Sequence, residues 1–200
     1  MPHGLTVDHD NNIWMTDVSL HQVFKFNNAG RLLLQLGETG VAGTDSNHFN
    51  MPTGVAIADD GTFYVSDGYG NRGIMRFTAN GKYLLEWGKK GYKAGEFNIP
   101  HGIAPDRNGL IYMADRENSR IQVFSATGRF IKQLSGNRGA VNSVDFDPQR
   151  SQLLASDDIA FLNFKHQGSD LLILDTTQAR YKQGLAGVGF IMVVPPGIMI

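Results

Sequence analysis

The chain contains no cysteine. That excludes disulfides, thiolate metal sites and cysteine nucleophiles, and leaves the redox compartment open. It also lacks an excess of either charge: 18 basic and 19 acidic residues leave a formal net charge of −1. No basic face for nucleic acid is therefore implied. Sustained helical periodicity is missing from every window, so the fold is not built on amphipathic helices. There is no glycine-rich phosphate loop, no serine nucleophile elbow and no cysteine-based zinc pattern. A charged segment followed by an apolar core, the mark of a signal peptide, is not visible at Met1-Pro2-His3. The uncharged stretch 184–200 is shorter than the roughly 20 residues of a membrane-spanning helix and is interrupted by Pro195 and Pro196. No membrane span is expected.

What the chain does have is self-similarity. Pro2, Pro52 and Pro100 are spaced by 50 and 48 residues, as are Asp17, Asp67 and Asp115. Phe26, Phe77 and Phe124 follow at 51 and 47, and so do Gly30, Gly81 and Gly128. Four markers on one period identify a repeat. Inside the first unit, Gly4 to Val7, Ile13 to Asp17, Gln22 to Phe26 and Leu32 to Leu36 read as short strands separated by Gly, Asn and Asp. Four short strands per unit at this period predict a β-propeller blade. One such sheet cannot bury both faces, and stacking blades around an axis does so. The all-β reading divides the chain into blades at about 1–47, 48–95, 96–138 and 139–183. The fourth is degraded: Val141 to Phe146, Gln152 to Asp157 and Leu171 to Leu174 carry its strands. Pro195-Pro196-Gly197-Ile198 resembles the opening of a fifth. The chain is thus expected to hold about four blades of six.

His3 and His101 occupy the same repeat position, each within Pro-His-Gly, two blades apart, and blade two carries Thr53 there. In a six-bladed ring, alternate blades differ by one third of a turn. A histidine in blades one, three and five would bring three imidazoles to the axis, the ligand set of a zinc site with an open position. The alternative is a pair of loop histidines bonded to backbone, and both readings stand at this point. Tyr69 and Arg116 sit at matching places after the second-strand aspartates of blades two and three. If those turns face the histidines, a phenol and a guanidinium border the metal. A phenol titrates near 10 when unperturbed, and a nearby zinc and arginine would favour phenolate, making Tyr69 a candidate base. Otherwise Tyr69 packs on the next blade and Arg116 bridges to Asp115 or Glu117. The recurrent Asp17, Asp67 and Asp115 are expected to bond backbone N–H groups of turns. His9, His21, His48 and His166 share no register and are taken as loop or surface residues.

Pro2 to Asp8, Thr16-Asp17-Val18, Leu20 to Lys25, Asn47-His48-Phe49, Ser66 to Tyr69, Pro100-His101 and Ala114 to Asn118 together resemble the peptidyl-α-hydroxyglycine α-amidating lyases. The resemblance covers about residues 1–135. It implies a six-bladed propeller that cleaves a peptidyl-α-hydroxyglycine to an amidated peptide and glyoxylate. On that resemblance His3 and His101 are zinc ligands, Tyr69 takes the hydroxyl proton, and Arg116 holds the substrate or its developing charge. Leu5 offers its backbone carbonyl to a structural calcium. The implied partner is a small peptide ending in α-hydroxyglycine, and the implied location is secreted, periplasmic or within the secretory pathway. The alternatives are a non-catalytic NHL-type propeller scaffold and another metal-dependent propeller hydrolase.

The chain departs from the family pattern in three places. Pro196 and Gly197 stand where a third zinc histidine and a calcium-binding aspartate are expected. An active-site arginine is expected upstream of Met1. A family cysteine is replaced at Gly70. Gly197-Ile198-Met199-Ile200 implies codons that, shifted by one base, can spell His-His-Asp. The tail is accordingly expected to be an out-of-frame translation and the chain an internal fragment, which the nucleotide sequence tests.

Overall fold

The computed structural model describes residues 1–134, 139–150, 152–159, 168–175 and 180–185. The tail from 186 to 200, with the expected fifth-blade opening at Pro195-Pro196-Gly197-Ile198, lies outside the described residues, as does His166.

The described residues form four antiparallel sheets of four strands each, every one a simple meander. The first holds β1 (Pro2–Val7), β2 (Ile13–Asp17), β3 (Gln22–Phe26) and β4 (Leu32–Leu36). The second holds β5 (Gly54–Ile57), β6 (Phe63–Asp67), β7 (Gly73–Phe77) and β8 (Tyr83–Trp87). The third holds β9 (Pro100–Pro105), β10 (Leu110–Asp115), β11 (Arg120–Ser125) and β12 (Phe130–Leu134). The fourth holds β13 (Ala140–Asp147), β14 (Gln152–Ile159), β15 (Gly168–Asp175) and β16 (Arg180–Leu185). The strands expected at Ile13 to Asp17, Gln22 to Phe26 and Leu32 to Leu36 form with those bounds. A single 3₁₀ turn, Arg116–Asn118, links β10 to β11. Among the described residues no helix is long and apolar enough to cross a membrane.

The cores lie between blades rather than within them. Trp14 and Val23 of blade one pack with Val55, Phe63, Val65, Met75 and Phe77 of blade two. Tyr64 and Ile74 of blade two pack with Ile103, Ile111, Met113 and Phe124 of blade three. Tyr112, Ile121 and Val123 then meet Val141, Val144 and Leu153 of blade four. A four-stranded sheet with two apolar faces is stable only when both are covered, and each neighbour covers one. The first strands β1, β5, β9 and β13 follow one another along the inside of this stack.

Candidate active site

The Pro-His-Gly segments are β-bulges. On β1, Pro2 pairs with Asp17 but Leu5 pairs with Met15, so one extra residue is accommodated between them. On β9, Pro100 pairs with Asp115 and Ile103 with Met113, the same offset at the same place. A bulge of this kind bends the strand and re-aims a side chain. The glycine after each histidine is dictated by the neighbouring blade. A Cβ on Gly4 would lie 2.6 Å from the Thr53 carbonyl oxygen, and one on Gly102 would lie 2.7 Å from the Ser143 Cα. Backbones approach too closely there for any side chain.

Each re-aimed imidazole is fixed by the blade that follows. Nδ1 of His3 donates to the Thr53 carbonyl at 2.9 Å. Nδ1 of His101 donates to the Asn142 carbonyl at 2.7 Å. Thr53 and Asn142 hold the histidine position in blades two and four. A carbonyl only accepts, so each Nδ1 carries a proton, and in the neutral form of such a ring Nε2 is the acceptor. The two rings lie 4.9 Å apart between centroids.

Both Nε2 atoms point at one oxygen. Tyr69 Oη lies 3.0 Å from Nε2 of His3 and 3.3 Å from Nε2 of His101. Nη1 of Arg116 donates to the same oxygen at 3.4 Å. Arg116 leaves the 3₁₀ turn after β10, and its Nε lies 3.2 Å from Oε1 of Glu117. That pair lacks the alignment of a hydrogen bond, for Nε is buried without one. Thr53, by contrast, turns its hydroxyl into the protein and donates to the Pro100 carbonyl at 2.8 Å.

The four side chains singled out by register, His3, His101, Tyr69 and Arg116, are thus gathered around one point. Leu5 lies two residues beyond His3 with its side chain exposed. Among the described residues no group of three or more His, Cys, Asp or Glu side chains is placed so that it could hold a metal ion. The donor set nevertheless suits a cation. Two imidazole nitrogens and one phenol oxygen converge on one point, and nitrogen and oxygen donors of these types are ones a divalent cation accepts. A metal-binding histidine usually donates its other ring N–H to a carbonyl or carboxylate, which fixes the tautomer and orients the ring, as the Thr53 and Asn142 carbonyls do here.

The recurrent aspartates do bond backbone N–H groups, but from different segments. Asp17 accepts from Ser19 and Leu20 of its own turn, whereas Asp67 and Asp115 accept from Asn50 and Asn98 of the preceding loops. Asp115 is paired with Arg120, at 2.7 Å, and not with Arg116. Of the unregistered histidines, His9 lies 3.3 Å from Asp59 and His48 bonds Asp45. His21 accepts from the Met51 N–H.

Stacked four-stranded meanders of this period define a β-propeller, and the NHL repeat matches residues 49–72 and 97–124. Solved structures agree on the fold. The hydrazine synthase of Kuenenia stuttgartiensis superposes with a TM-score of 0.70 at 14% identity, over 92% of this chain and 49% of that one. A streptogramin B lyase superposes with a TM-score of 0.63 at 16% identity, over 88% of this chain and 52% of that one. The chain is more specifically a homologue of the peptide-amidating proteins. It is 48% identical to peptidyl-glycine alpha-amidating monooxygenase A of Xenopus laevis over 143 residues, 67% of this chain and 15% of that protein. It is 46% identical to peptidyl-alpha-hydroxyglycine alpha-amidating lyase 1 of Drosophila melanogaster over 92 residues, 44% of this chain and 17% of that protein. The chain therefore spans about one sixth of the length of these relatives.

Proposed function

We propose that this chain is the part of a lyase that cleaves a peptidyl-α-hydroxyglycine into a C-terminally amidated peptide and glyoxylate. The observation that supports this most is the convergence of both Nε2 atoms on the Tyr69 oxygen, with Arg116 donating to that oxygen. In this reading His3 and His101 hold a zinc ion through Nε2, their rings locked by the Thr53 and Asn142 carbonyls. A bound zinc supplies the Lewis acidity that eases loss of a hydroxyl proton at neutral pH. Tyr69 takes the proton of the substrate hydroxyl. The electron pair of that O–H bond becomes the new carbonyl, the C–N bond breaks, and the proton ends on the departing amide nitrogen. Arg116 holds the substrate carboxylate or the charge that develops beside Tyr69.

A structural calcium at the Leu5 carbonyl belongs to the same proposal, as does a secretory or periplasmic setting. Both rest on the resemblance. The alternative is an NHL-type propeller scaffold; NHL repeat-containing protein 3 of Mus musculus, whose name states the repeat and no activity, is 34% identical over 142 residues, 65% of this chain and 41% of that one. Glyoxylate release separates the readings. The full chain, loaded with zinc and given a peptidyl-α-hydroxyglycine, is expected to release glyoxylate, and Tyr69→Phe is expected to slow release about 10²- to 10⁴-fold. Stoichiometric zinc without glyoxylate would favour a hydrolase, and no zinc binding would favour a scaffold.

A further inference from the structure

Each of the first three blades ends its second strand on a buried aspartate, and the three carboxylates meet different surroundings. Asp17 accepts from Ser19 and Leu20 and from the amino terminus. Asp115 accepts from Asn98 N–H, Asn118 Nδ2, Arg120 Nε and Gln122 Nε2, all within 3.0 Å. Asp67 is only 1% exposed, yet its donors are neutral: Asn50 N–H at 2.8 and 3.1 Å, and Asn71 Nδ2 at 2.6 Å. The register gives the reason. Asp115 pairs across the ladder with Arg120, whereas Asp67 pairs with Gly73, which brings no cation. Burial pushes the Asp67 carboxyl up to about 6, the bonds from Asn50 and Asn71 offset part of that, and Glu86 on β8 adds to it.

Asp67 also opens the turn that carries Tyr69. Asn50, held on the carboxylate through its N–H, accepts the Gly70 N–H on its carbonyl at 2.9 Å, and the Met51 carbonyl accepts the Tyr69 N–H at 3.4 Å. Asn71 closes the turn, donating to both Asp67 Oδ2 and the Gly43 carbonyl at 2.6 Å. One carboxylate thus clamps the 68–71 turn to the loop through 43–51. Were it protonated, its O–H would face groups that are themselves donors, and at least one of these bonds would be lost.

We propose that Asp67 is a positioning residue for Tyr69, and that the turn it clamps loosens when the carboxylate takes a proton. The kinetic consequence of this proposal, though not the clamp, rests on the lyase reading. The other charged or titratable groups on the elements around Asp67 are identifiable. Arg72, after the turn, is directed to Asn98 at 3.1 Å. His48, on the loop that supplies Asn50, is bonded to Asp45 and itself titrates above its ordinary value. Tyr69, His3, His101 and Arg116 form the cluster at the tip of the turn.

The test is a backbone amide NMR titration of the full chain from pH 4.5 to 8, on the wild type, Asp67→Asn and Gly73→Arg. Gly73→Arg gives Asp67 the cross-strand guanidinium that blade three already has, and a Cβ there meets nothing closer than the Trp87 carbonyl at 3.4 Å. In the wild type the Asn50 amide is expected to titrate with one midpoint near pH 6, where burial places the Asp67 carboxyl. The Tyr69 and Gly70 amides are expected to share that midpoint. Asp67→Asn should abolish the transition, and Gly73→Arg should move it down by about one unit or more. An Asn50 amide that does not titrate between about pH 5 and 7 overturns the proposal. So does a Tyr69 amide that ignores the transition, or a midpoint that Gly73→Arg leaves in place, which would assign it to His48. In glyoxylate release, kcat should fall about tenfold per pH unit below the midpoint, with KM changed less. The shared amide transition without any glyoxylate release would sustain the clamp and sink the lyase reading.

Discussion

Asp67 shows how one residue sets a pH dependence for the whole fold. Its native carboxyl titrates at about 6 against an ordinary 3.8, so the folded chain binds this proton more tightly than the unfolded one. The stabilisation is full below pH 3.8 and is lost as pH rises through 6. Two pH units correspond to about 3 kcal/mol. Urea unfolding from pH 4 to 8 should therefore show wild-type stability falling by about that amount relative to Asp67→Asn. Asp8 does not interfere. Burial works against its charged form, but hydrogen bonds from Trp14, Asn12 and Lys25 outweigh it and hold its pKa at about 2. At this scale the sequence was informative only where register spoke. His3, His101, Tyr69 and Arg116 could be singled out because each sits at a fixed distance from a repeat marker. The Thr53 and Asn142 carbonyls that orient the imidazoles could not, because a backbone acceptor leaves no trace in residue identity. Nor could the choice of Arg120 over Arg116 as the partner of Asp115, which is made by the 3₁₀ turn that carries Arg116 away.

Among the elements, the inner strands matter most, since a bulge on β1 and another on β9 aim the two histidines. The blade-two strand pairs in even register from Gly54 to Ile57 and buries Thr53 instead. β13 repeats the bulge between Val141 and Ser143, around Asn142. Strand positions were readable from alternation and turn residues, whereas a bulge was not, because one extra residue changes neither. The glycine after each histidine is the sequence's mark of close approach. Gly102→Ala would set a Cβ 2.7 Å from the Ser143 Cα and 2.9 Å from the Asn142 carbonyl oxygen, the acceptor that holds His101. Such overlap with backbone is expected to destabilise the fold by about 1–3 kcal/mol and to weaken zinc binding at the same time. Chemical unfolding and zinc titration of the variant would check both. Unchanged zinc affinity would separate the bulge from the imidazole.

The molecule as a whole is a stack in which every described core is shared by two blades. This was legible in the sequence, since a 50-residue period of four short strands leaves each unit with two apolar faces and no other way to cover them. It predicts that damage to one seam loosens both blades beside it. Phe124 is fully buried between blades two and three, against Trp87, Phe97 and Phe130. Phe124→Ala is expected to lower stability by about 3–5 kcal/mol. Hydrogen exchange should quicken in β6 and β7 as well as in β10 and β11. Exchange that quickens in blade three alone would mean the blades are independent.

The convergence of His3 and His101 is tested most directly by zinc X-ray absorption on the metal-loaded full chain. The expected result is imidazole scattering from two histidines with Zn–N distances of about 2.0–2.1 Å, reduced to one imidazole in His101→Ala. A zinc shell without imidazole, or one that His101→Ala leaves unchanged, would contradict the account.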